Sequence, residues 1–220
     1  MTQKTRSKPG ARQVKKSYKT LWWILGGVVG LAAIVALAIS IAGEQPLDES
    51  VGYGTPSVSG TALPAYVAGS SDPSQGAQAP TATGADWNGN PVSIEPDGTP
   101  KIVIFLAHWC SHCQAEVPVV QSWVDAGNLP DNVELISVAT STDPLRPNWP
   151  PQDWLEREGW TAPVIMDDAS GKVAGSFGMA GTPFWVVLNG DGVVLQRVSG
   201  EIPVDGLNAL VAIAQSTAQP

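Results

Sequence analysis

The stretch "KIVIFLAHWCSHCQAEVPVV", Lys101 to Val120, predicts a buried strand that is followed at once by a helix. Its first part, residues 101–107, is a continuous apolar run of strand length, as expected of a central strand that is buried on both faces. Beyond it, apolar side chains recur along one helical stripe, at Cys113, Val117, Val120 and Val124. The junction between strand and helix holds both cysteines and both histidines of the 220-residue chain.

The sequence on the C-terminal side of this junction predicts the rest of an α/β fold. Strand patterns alternate with helical patterns along residues 133–179, and residues 183–198 predict a hairpin around the turn "NGDG". A final amphipathic helix covers residues 204–215. This βαβαβαββα order implies a mixed central sheet with helices on both faces.

Cys110 and Cys113 form a Cys-x-x-Cys motif at the start of the helix, inside a βαβ unit, which is the thioredoxin-like redox arrangement. Unpaired N–H groups and the helix dipole favour negative charge at Cys110, so its thiolate is stabilised. Cys113 lies one turn further on, less exposed but close enough to attack a mixed disulfide on Cys110. A static disulfide would close only a tiny loop and constrain little of the unfolded chain. The sequence therefore favours a redox-active disulfide.

One histidine, His112, lies between these cysteines, and His108 and Glu116 lie on either side of them. His112, when protonated, favours the Cys110 thiolate, and a stabilised reduced form makes the pair a stronger oxidant. Glu116 is at i+4 from His112 and i+3 from Cys113, so it could take up a proton, pair with the imidazolium, or be a solvated surface glutamate. His108 could be a polar residue at the mouth of the strand or could take a direct part.

Two other classes of function stay open. Cysteine and histidine can hold Cu(I) or Zn(II), which would make the domain a metal-binding module or a copper chaperone. The sequence has no His or Cys outside residues 108–113 to serve as a distal ligand, so we predict no metal site. A non-catalytic thioredoxin-like adaptor is the other class, but it would not need both cysteines. No organic cofactor is implied, since the disulfide itself carries two electrons.

The N-terminal part of the sequence predicts a membrane anchor. Residues 1–20 carry 7 basic side chains and no acid, and residues 21–42 carry no charge. At about 1.5 Å per residue, such a helix spans a hydrocarbon core of about 30 Å. By the positive-inside rule residues 1–20 form a cytoplasmic tail, and everything after the helix is extracytoplasmic. A cleaved signal peptide is the alternative, although the apolar run exceeds the usual ~7–15 residues.

Residues 43–75 are rich in Gly, Pro, Ser and Ala without a sustained period, which predicts a flexible extracytoplasmic linker before a thioredoxin-like domain at 76–220. The apolar residues Leu63, Tyr66 and Val67 could instead attach to the domain. After residue 20 the chain holds 5 basic and 20 acidic side chains, a net charge of -15. This charge argues against nucleic acid as a partner, because phosphate binding needs clustered Lys and Arg.

From about Gly76 onward the chain resembles the membrane-anchored thioredoxin-like proteins of the TlpA/ResA kind, which act in extracytoplasmic thiol-disulfide exchange. The resemblance rests on "GNPVSI" before the first buried strand, on "WCSHCQAEVP", on the inserted "WLEREGW" and on "GTPFWVV". It implies that Cys110 is the attacking thiol and Cys113 the resolving thiol. It further implies that Glu116 is an acid that helps proton movement, and that Pro183 is a cis-proline whose loop faces the cysteines.

The resemblance also implies the partners. They are cysteine-containing proteins or a membrane redox partner, met by a groove that includes Trp109, Thr182 and Pro183. Many reductive members have a proline at the second position between the cysteines, where this chain has His112. The direction of electron flow therefore stays open.

Overall fold

The computed structural model describes residues 30–31 and 49–216. The predicted cytoplasmic tail, residues 1–20, lies outside this part. The predicted transmembrane helix, residues 21–42, also lies outside it except for residues 30–31. The first six residues of the predicted linker lie outside it as well. Among the residues that are described, no helix combines the length and the apolar character needed to cross a membrane.

The described chain is built from eight strands and four helices, with one turn of 3₁₀ helix at Glu49–Gly52. In chain order they are β1 Ser57–Ser59, β2 Thr81–Ala85, β3 Pro91–Ile94, β4 Lys101–Leu106, α1 Ser111–Asp125, β5 Glu134–Ala139, α2 Pro151–Arg157, β6 Val164–Met166, α3 Lys172–Ser176, β7 Phe184–Leu188, β8 Val194–Ser199 and α4 Val204–Ser216. From β4 onward this is the predicted βαβαβαββα order.

The central sheet has five strands in the order β6-β5-β4-β7-β8. β4 pairs parallel with β5 and antiparallel with β7, so the sheet is mixed, as the sequence predicts. β4 lies in the middle, and all six of its residues are buried. Its carboxyl end, where the cysteine motif begins, is therefore held by neighbours on both sides.

Two hydrophobic cores lie on opposite faces of β4, because alternate side chains of a strand point to opposite faces. Ile102 and Ile104 pack on the face covered by α1 and α4. Val103 and Phe105 pack on the other face, with α3 and the strands β2 and β3. The continuous apolar run at residues 101–107 is thus buried on both faces of the sheet, as the sequence predicts.

A second sheet, β1-β2-β3, is antiparallel and three-stranded. Its third strand, β3, is the "PVSI" of the "GNPVSI" on which the resemblance rests. Ala82 of β2 and Ile94 of β3 are buried in the same core as Val103. The second sheet therefore packs on the central sheet and shares the face of α3.

The prediction that residues 43–75 form a flexible linker is wrong for residues 49–75, the part of this segment that the structure describes. Residues 57–59 form β1, Leu63 is only 7% exposed, and the N–H of Gly54 donates to the carbonyl of Asp167 at 2.9 Å. The alternative that Leu63 attaches to the domain is the correct one. The domain therefore begins well before residue 76.

Arg197 of β8 supplies the main polar attachment of this segment. Its guanidinium donates to both carboxylate oxygens of Asp72, at 2.8 and 2.6 Å. It also donates to the carbonyl oxygens of Pro64 and Phe177, each at 2.9 Å. A buried charge is tolerated only when it is paired and hydrogen-bonded, so Arg197 fixes residues 64–72 against the domain.

Candidate active site

The redox motif lies where β4 ends and α1 begins. Cys110 has an extended backbone, with φ -75° and ψ 119°, and occupies the N-cap position of α1. Its N–H donates to the carbonyl of Ala107, and its carbonyl accepts from the N–H of Gln114, both at 3.0 Å. The sulfur therefore lies at the helix N-terminus, where free N–H groups and the dipole favour an anion.

The loop before β7 lies against the Cys110 sulfur. The Cys110 thiol donates to the carbonyl of Thr182 at 3.3 Å. The Thr182–Pro183 peptide bond is cis, as the resemblance implies. Thr182 and Pro183, which are 72 and 73 residues away in sequence, are thus brought to the cysteine motif.

The pKa of Cys110 is set by opposing effects. Burial alone raises the pKa, but a side-chain hydrogen bond with Thr182 and hydrogen bonds with Cys113 and with the backbone of His112 outweigh burial. The pKa of the Cys110 thiol is therefore lower than that of an ordinary cysteine. A lower pKa means more thiolate, which is the nucleophilic form of cysteine, near neutral pH.

Cys113 has the opposite environment. Its side chain is completely buried, and the N–H of Ala107 donates to its sulfur at 3.5 Å. Burial raises the pKa of Cys113 to about 12. Both cysteines are free thiols, so the structure is that of the reduced pair. The two sulfurs therefore differ strongly in acidity although they are one helical turn apart.

Glu116 is a buried side chain, only 3% exposed, so the interpretation as a solvated surface glutamate is wrong. The backbone N–H of Ile202 donates to both of its carboxylate oxygens, at 3.0 and 3.1 Å. Burial nevertheless raises the pKa of Glu116 to about 7, with a smaller contribution from the charge of Glu201. A carboxyl group with this pKa can both take up and release a proton near neutral pH.

The acidic partner of His112 is Glu201, not Glu116 as the helical spacing had suggested. Nδ1 of His112 makes a close contact with Oε1 of Glu201, in the loop between β8 and α4. The hydrogen bond and charge of Glu201 raise the pKa of His112. Glu116 is unable to take this role because its carboxylate is turned inward to Ile202.

Trp109 forms one wall beside Cys110. Its indole N–H donates to the carbonyl of Ser141 at 2.7 Å, and the guanidinium of Arg146 lies over its ring, 4.5 Å from the centroid. Arg146 belongs to the loop between β5 and α2, where the neighbouring Leu145 is 86% exposed. This loop contacts Trp109, and the Thr182–Pro183 loop contacts Cys110.

His108 is buried and supports the same loop. Its Nδ1 is 2.7 Å from the carbonyl of Pro147, and its Nε2 accepts from the N–H of Asp143 at 3.2 Å. This arrangement requires a neutral ring with the proton on Nδ1, and burial lowers the pKa of His108 accordingly. Of the two alternatives for His108, the structure supports the one without direct chemistry. Both ring nitrogens are engaged, so neither is available to a metal.

No group of three or more metal-ligating side chains is brought together within residues 30–31 and 49–216. Two residues of the site were missed from sequence, Glu201 and Ile202. They follow the last strand in "SGEIPV", which carries no motif, and they reach α1 only through the fold.

A dithiol at the N-terminus of a helix, opposite a cis-proline loop on a mixed sheet, defines the thioredoxin-fold thiol-disulfide oxidoreductases as a class. The chain belongs to the Redoxin family, whose model matches residues 74–211. It is 30% identical over 149 residues to the thiol:disulfide interchange protein HelX of Rhodobacter capsulatus. The aligned region covers 66% of this chain and 74% of that protein. The enzymatic class predicted from the cysteine motif is thereby confirmed.

Solved structures show the same fold. A thiol:disulfide interchange protein of the thioredoxin family from Chlorobium tepidum superposes with a TM-score of 0.50 at 24% identity, over 62% of this chain and 94% of that one. The solution structure of a thiol:disulfide interchange protein from Bacteroides sp. gives 0.50 at 20% identity, over 65% and 91%. The thioredoxin-like α/β fold predicted from the element order is therefore confirmed.

Proposed function

We propose that Cys110 and Cys113 exchange disulfides with cysteine-containing proteins, with Cys110 as the attacking thiol and Cys113 as the resolving thiol. The observation that carries this proposal is the difference between the two sulfurs. Cys110 sits at the helix N-terminus with a lowered pKa, whereas Cys113 is fully buried with a pKa of about 12. Only Cys110 can supply a thiolate to a partner at neutral pH.

In the first step of substrate reduction, the Cys110 thiolate attacks one sulfur of a substrate disulfide. The Cys110–substrate S–S bond forms, and the other substrate sulfur leaves as a thiolate that takes a proton. Cys113 then loses its proton and attacks the Cys110 sulfur, which releases the second substrate sulfur as a thiol. The substrate gains two electrons and two protons, and Cys110–Cys113 becomes a disulfide. Substrate oxidation is the same sequence in reverse.

Glu116 moves the proton of Cys113 in this scheme. Cys113 and Glu116 are three residues apart in α1 and therefore share one helix face. With a pKa of about 7, Glu116 is partly ionised at neutral pH and can take the proton of Cys113, or return it when the disulfide is reduced. The high pKa of Cys113 makes such a base necessary.

The substrate segment lies between Trp109 and the Thr182–Pro183 loop. The carbonyl of Thr182 contacts the Cys110 sulfur, which is the atom that the substrate disulfide must reach, and Trp109 directly precedes Cys110 in the chain. We propose that the same groove receives a membrane redox partner, which restores the pair after each turnover.

The lowered pKa of Cys110 favours an oxidising pair. A stabilised thiolate stabilises the reduced form and raises the reduction potential, so we expect a value above that of thioredoxin, which is about -270 mV. Equilibration of the pair with glutathione buffers measures the potential. A value at or below that of thioredoxin would instead make the protein a reductase.

The proposal includes a single N-terminal anchor, residues 21–42, with residues 1–20 cytoplasmic and the redox domain extracytoplasmic. The charge distribution supports this topology, since basic residues concentrate before the apolar run and acidic residues after it. Protease added to intact cells should remove the domain and leave residues 1–20 protected. A protected domain, or a mature form that begins near Gly43, would contradict the anchor.

The exchange activity is tested by the reduction of insulin disulfides in the presence of dithiothreitol. The protein should accelerate this reduction, and Cys110→Ser should abolish the acceleration. Exposed Ser70→Ala, far from the cysteines in sequence, is the control variant. Full activity of Cys110→Ser would refute the proposed role of Cys110.

A further inference from the structure

The loop between β8 and α4 makes two contacts with the first two turns of α1. The carboxylate of Glu201 contacts Nδ1 of His112, and the N–H of the next residue, Ile202, donates to Glu116. His112 and Glu116 lie on one helix face, four residues apart. One short loop thus contacts a residue between the two cysteines and a residue one turn beyond them.

The His112–Glu201 pair is at the surface. The two side chains are 70% and 45% exposed. The charged and titratable groups that act on His112 are Glu201 and the Cys110 sulfur, while Glu116 turns its carboxylate to Ile202. Apart from Glu201, therefore, no carboxylate described here competes for the imidazole.

An exposed histidine without such a partner would titrate close to its ordinary pKa of about 6.5 and would be mostly neutral above pH 7. A neutral ring next to Cys110 does not stabilise a thiolate electrostatically. A carboxylate in contact with Nδ1 favours the protonated ring, so the cation persists to higher pH.

We propose that Glu201 is a positioning residue of the redox site, which holds the ring of His112 as a cation beside the Cys110 thiolate. This inference rests on the proposed role of Cys110 as the attacking thiol. His112 is two residues after Cys110 in the chain and interacts electrostatically with the Cys110 sulfur, whereas Glu201 contacts the ring of His112. The imidazolium therefore acts on the sulfur, and we expect the pair as a whole to stabilise the thiolate.

The arrangement makes the effect of Glu201 depend on His112. In the native protein, Glu201→Gln removes the partner that keeps the imidazole charged, so the thiolate loses a neighbouring cation. In a His112→Asn background no cation remains to be held, and Glu201→Gln only removes a negative charge near the sulfur. The same substitution should therefore slow the reaction of Cys110 in the native background but not in the His112→Asn background.

The test is the rate of Cys110 alkylation by iodoacetamide in the full-length reduced protein, measured from pH 5 to pH 9. Below pH 9 Cys113 stays protonated because its pKa is about 12, so the rate reports Cys110. At pH 7.5 we expect Glu201→Gln to slow alkylation by about two- to threefold in the native background, the size typical of an exposed ion pair. In the His112→Asn background it should leave the rate unchanged or raise it. Asp205→Asn, which removes an exposed charge four residues away, is the matched control and should have no effect in either background.

Equal slowing by Glu201→Gln in both backgrounds, or no slowing in the native background, would overturn the inference. Alkylation reports the Cys110 thiol whether or not the protein exchanges disulfides with partners. If the insulin assay fails but Glu201→Gln slows alkylation only in the native background, the proposed function alone is refuted. If the enzyme is active but the two backgrounds respond alike, the role of Glu201 alone is refuted.

Discussion

The backbone N–H of Ile202 donates to both carboxylate oxygens of Glu116, at 3.0 and 3.1 Å, although the residues are 86 positions apart. This contact fixes a carboxyl group inside the domain at one helical turn from Cys113. A single N–H is weak compensation for the loss of water around a charge, which is why burial dominates and the pKa rises to about 7.

Glu116→Gln should impair the second step of exchange and spare the first. The amide keeps an oxygen that accepts from Ile202 but is unable to take the proton of Cys113. We expect a drop of about 10²-fold in the rate at which Cys113 resolves a mixed disulfide, the range of a general base. Stopped-flow reduction of a model disulfide measures both steps. Unchanged resolution with slowed attack would contradict the role assigned to Glu116.

The same group makes folding stability depend on pH. The pKa of Glu116 is raised from 4.5 to about 7 on folding, so the folded state binds more protons between these values. Its contribution is fully present below pH 4.5 and is lost as pH rises through 7. Urea unfolding of the reduced protein should show that Glu116→Gln removes a decline on the order of 2 kcal/mol over this range. An identical pH profile of native protein and variant would show that Glu116 titrates normally.

The sequence predicts the part of the site whose residues are close together in the chain. The strand, the turn and the first turns of α1 are contiguous in residues 101–120, so hydrophobic periodicity and the cysteine spacing define them together. Cys113 is completely buried because it falls on the apolar stripe that continues through Val117 and Val120. The cis Thr182–Pro183 bond came only from the resemblance, since an X-Pro bond is cis in only ~5% of cases.

The parts that the sequence does not predict depend on contacts between distant residues. Glu201 and His112 are 89 positions apart, and helical spacing instead suggested Glu116 as the partner. The composition of residues 43–75 is that of a flexible linker, yet Arg197 pairs with Asp72 across 125 positions. The composition of a segment indicates its local conformational preference. Here the buried guanidinium of Arg197 holds the segment against the domain in spite of that preference.

Thr182→Val should make Cys110 less acidic. The substitution keeps the size of the side chain and the backbone carbonyl that accepts from the Cys110 thiol, but it removes the Thr182 hydroxyl, which lowers the pKa of Cys110. We expect alkylation at pH 7 to slow by about three- to tenfold, as for one hydrogen bond of ordinary net strength. The pH profile of iodoacetamide reaction gives the pKa directly. A shift of that pKa downward, or none at all, would contradict the assignment.

Asp72→Asn should loosen residues 60–75 from the domain. The substitution leaves the guanidinium of Arg197, which is fully buried, without its counter-charge. Breaking one partner of a buried pair costs about 3 kcal/mol of the free energy of unfolding, and the attached segment should become sensitive to protease. Denaturant unfolding and limited proteolysis measure the two effects. Exposed Asp131→Asn is the control, and equal effects of the two substitutions would refute the proposed attachment.

The central claim, that Cys110 attacks and Cys113 resolves, is tested most directly by trapping mixed disulfides. Cys113→Ser retains the acidic Cys110 but lacks the thiol that releases the substrate, so it should accumulate covalent complexes with cysteine-containing proteins. Cys110→Ser should accumulate far fewer, because the remaining thiol is buried and has a pKa of about 12. Non-reducing gels of the two full-length variants, isolated under acid quench, compare the two yields. Strong trapping by Cys113→Ser alone is the predicted result, whereas equal trapping by both variants, or more by Cys110→Ser, would contradict the account.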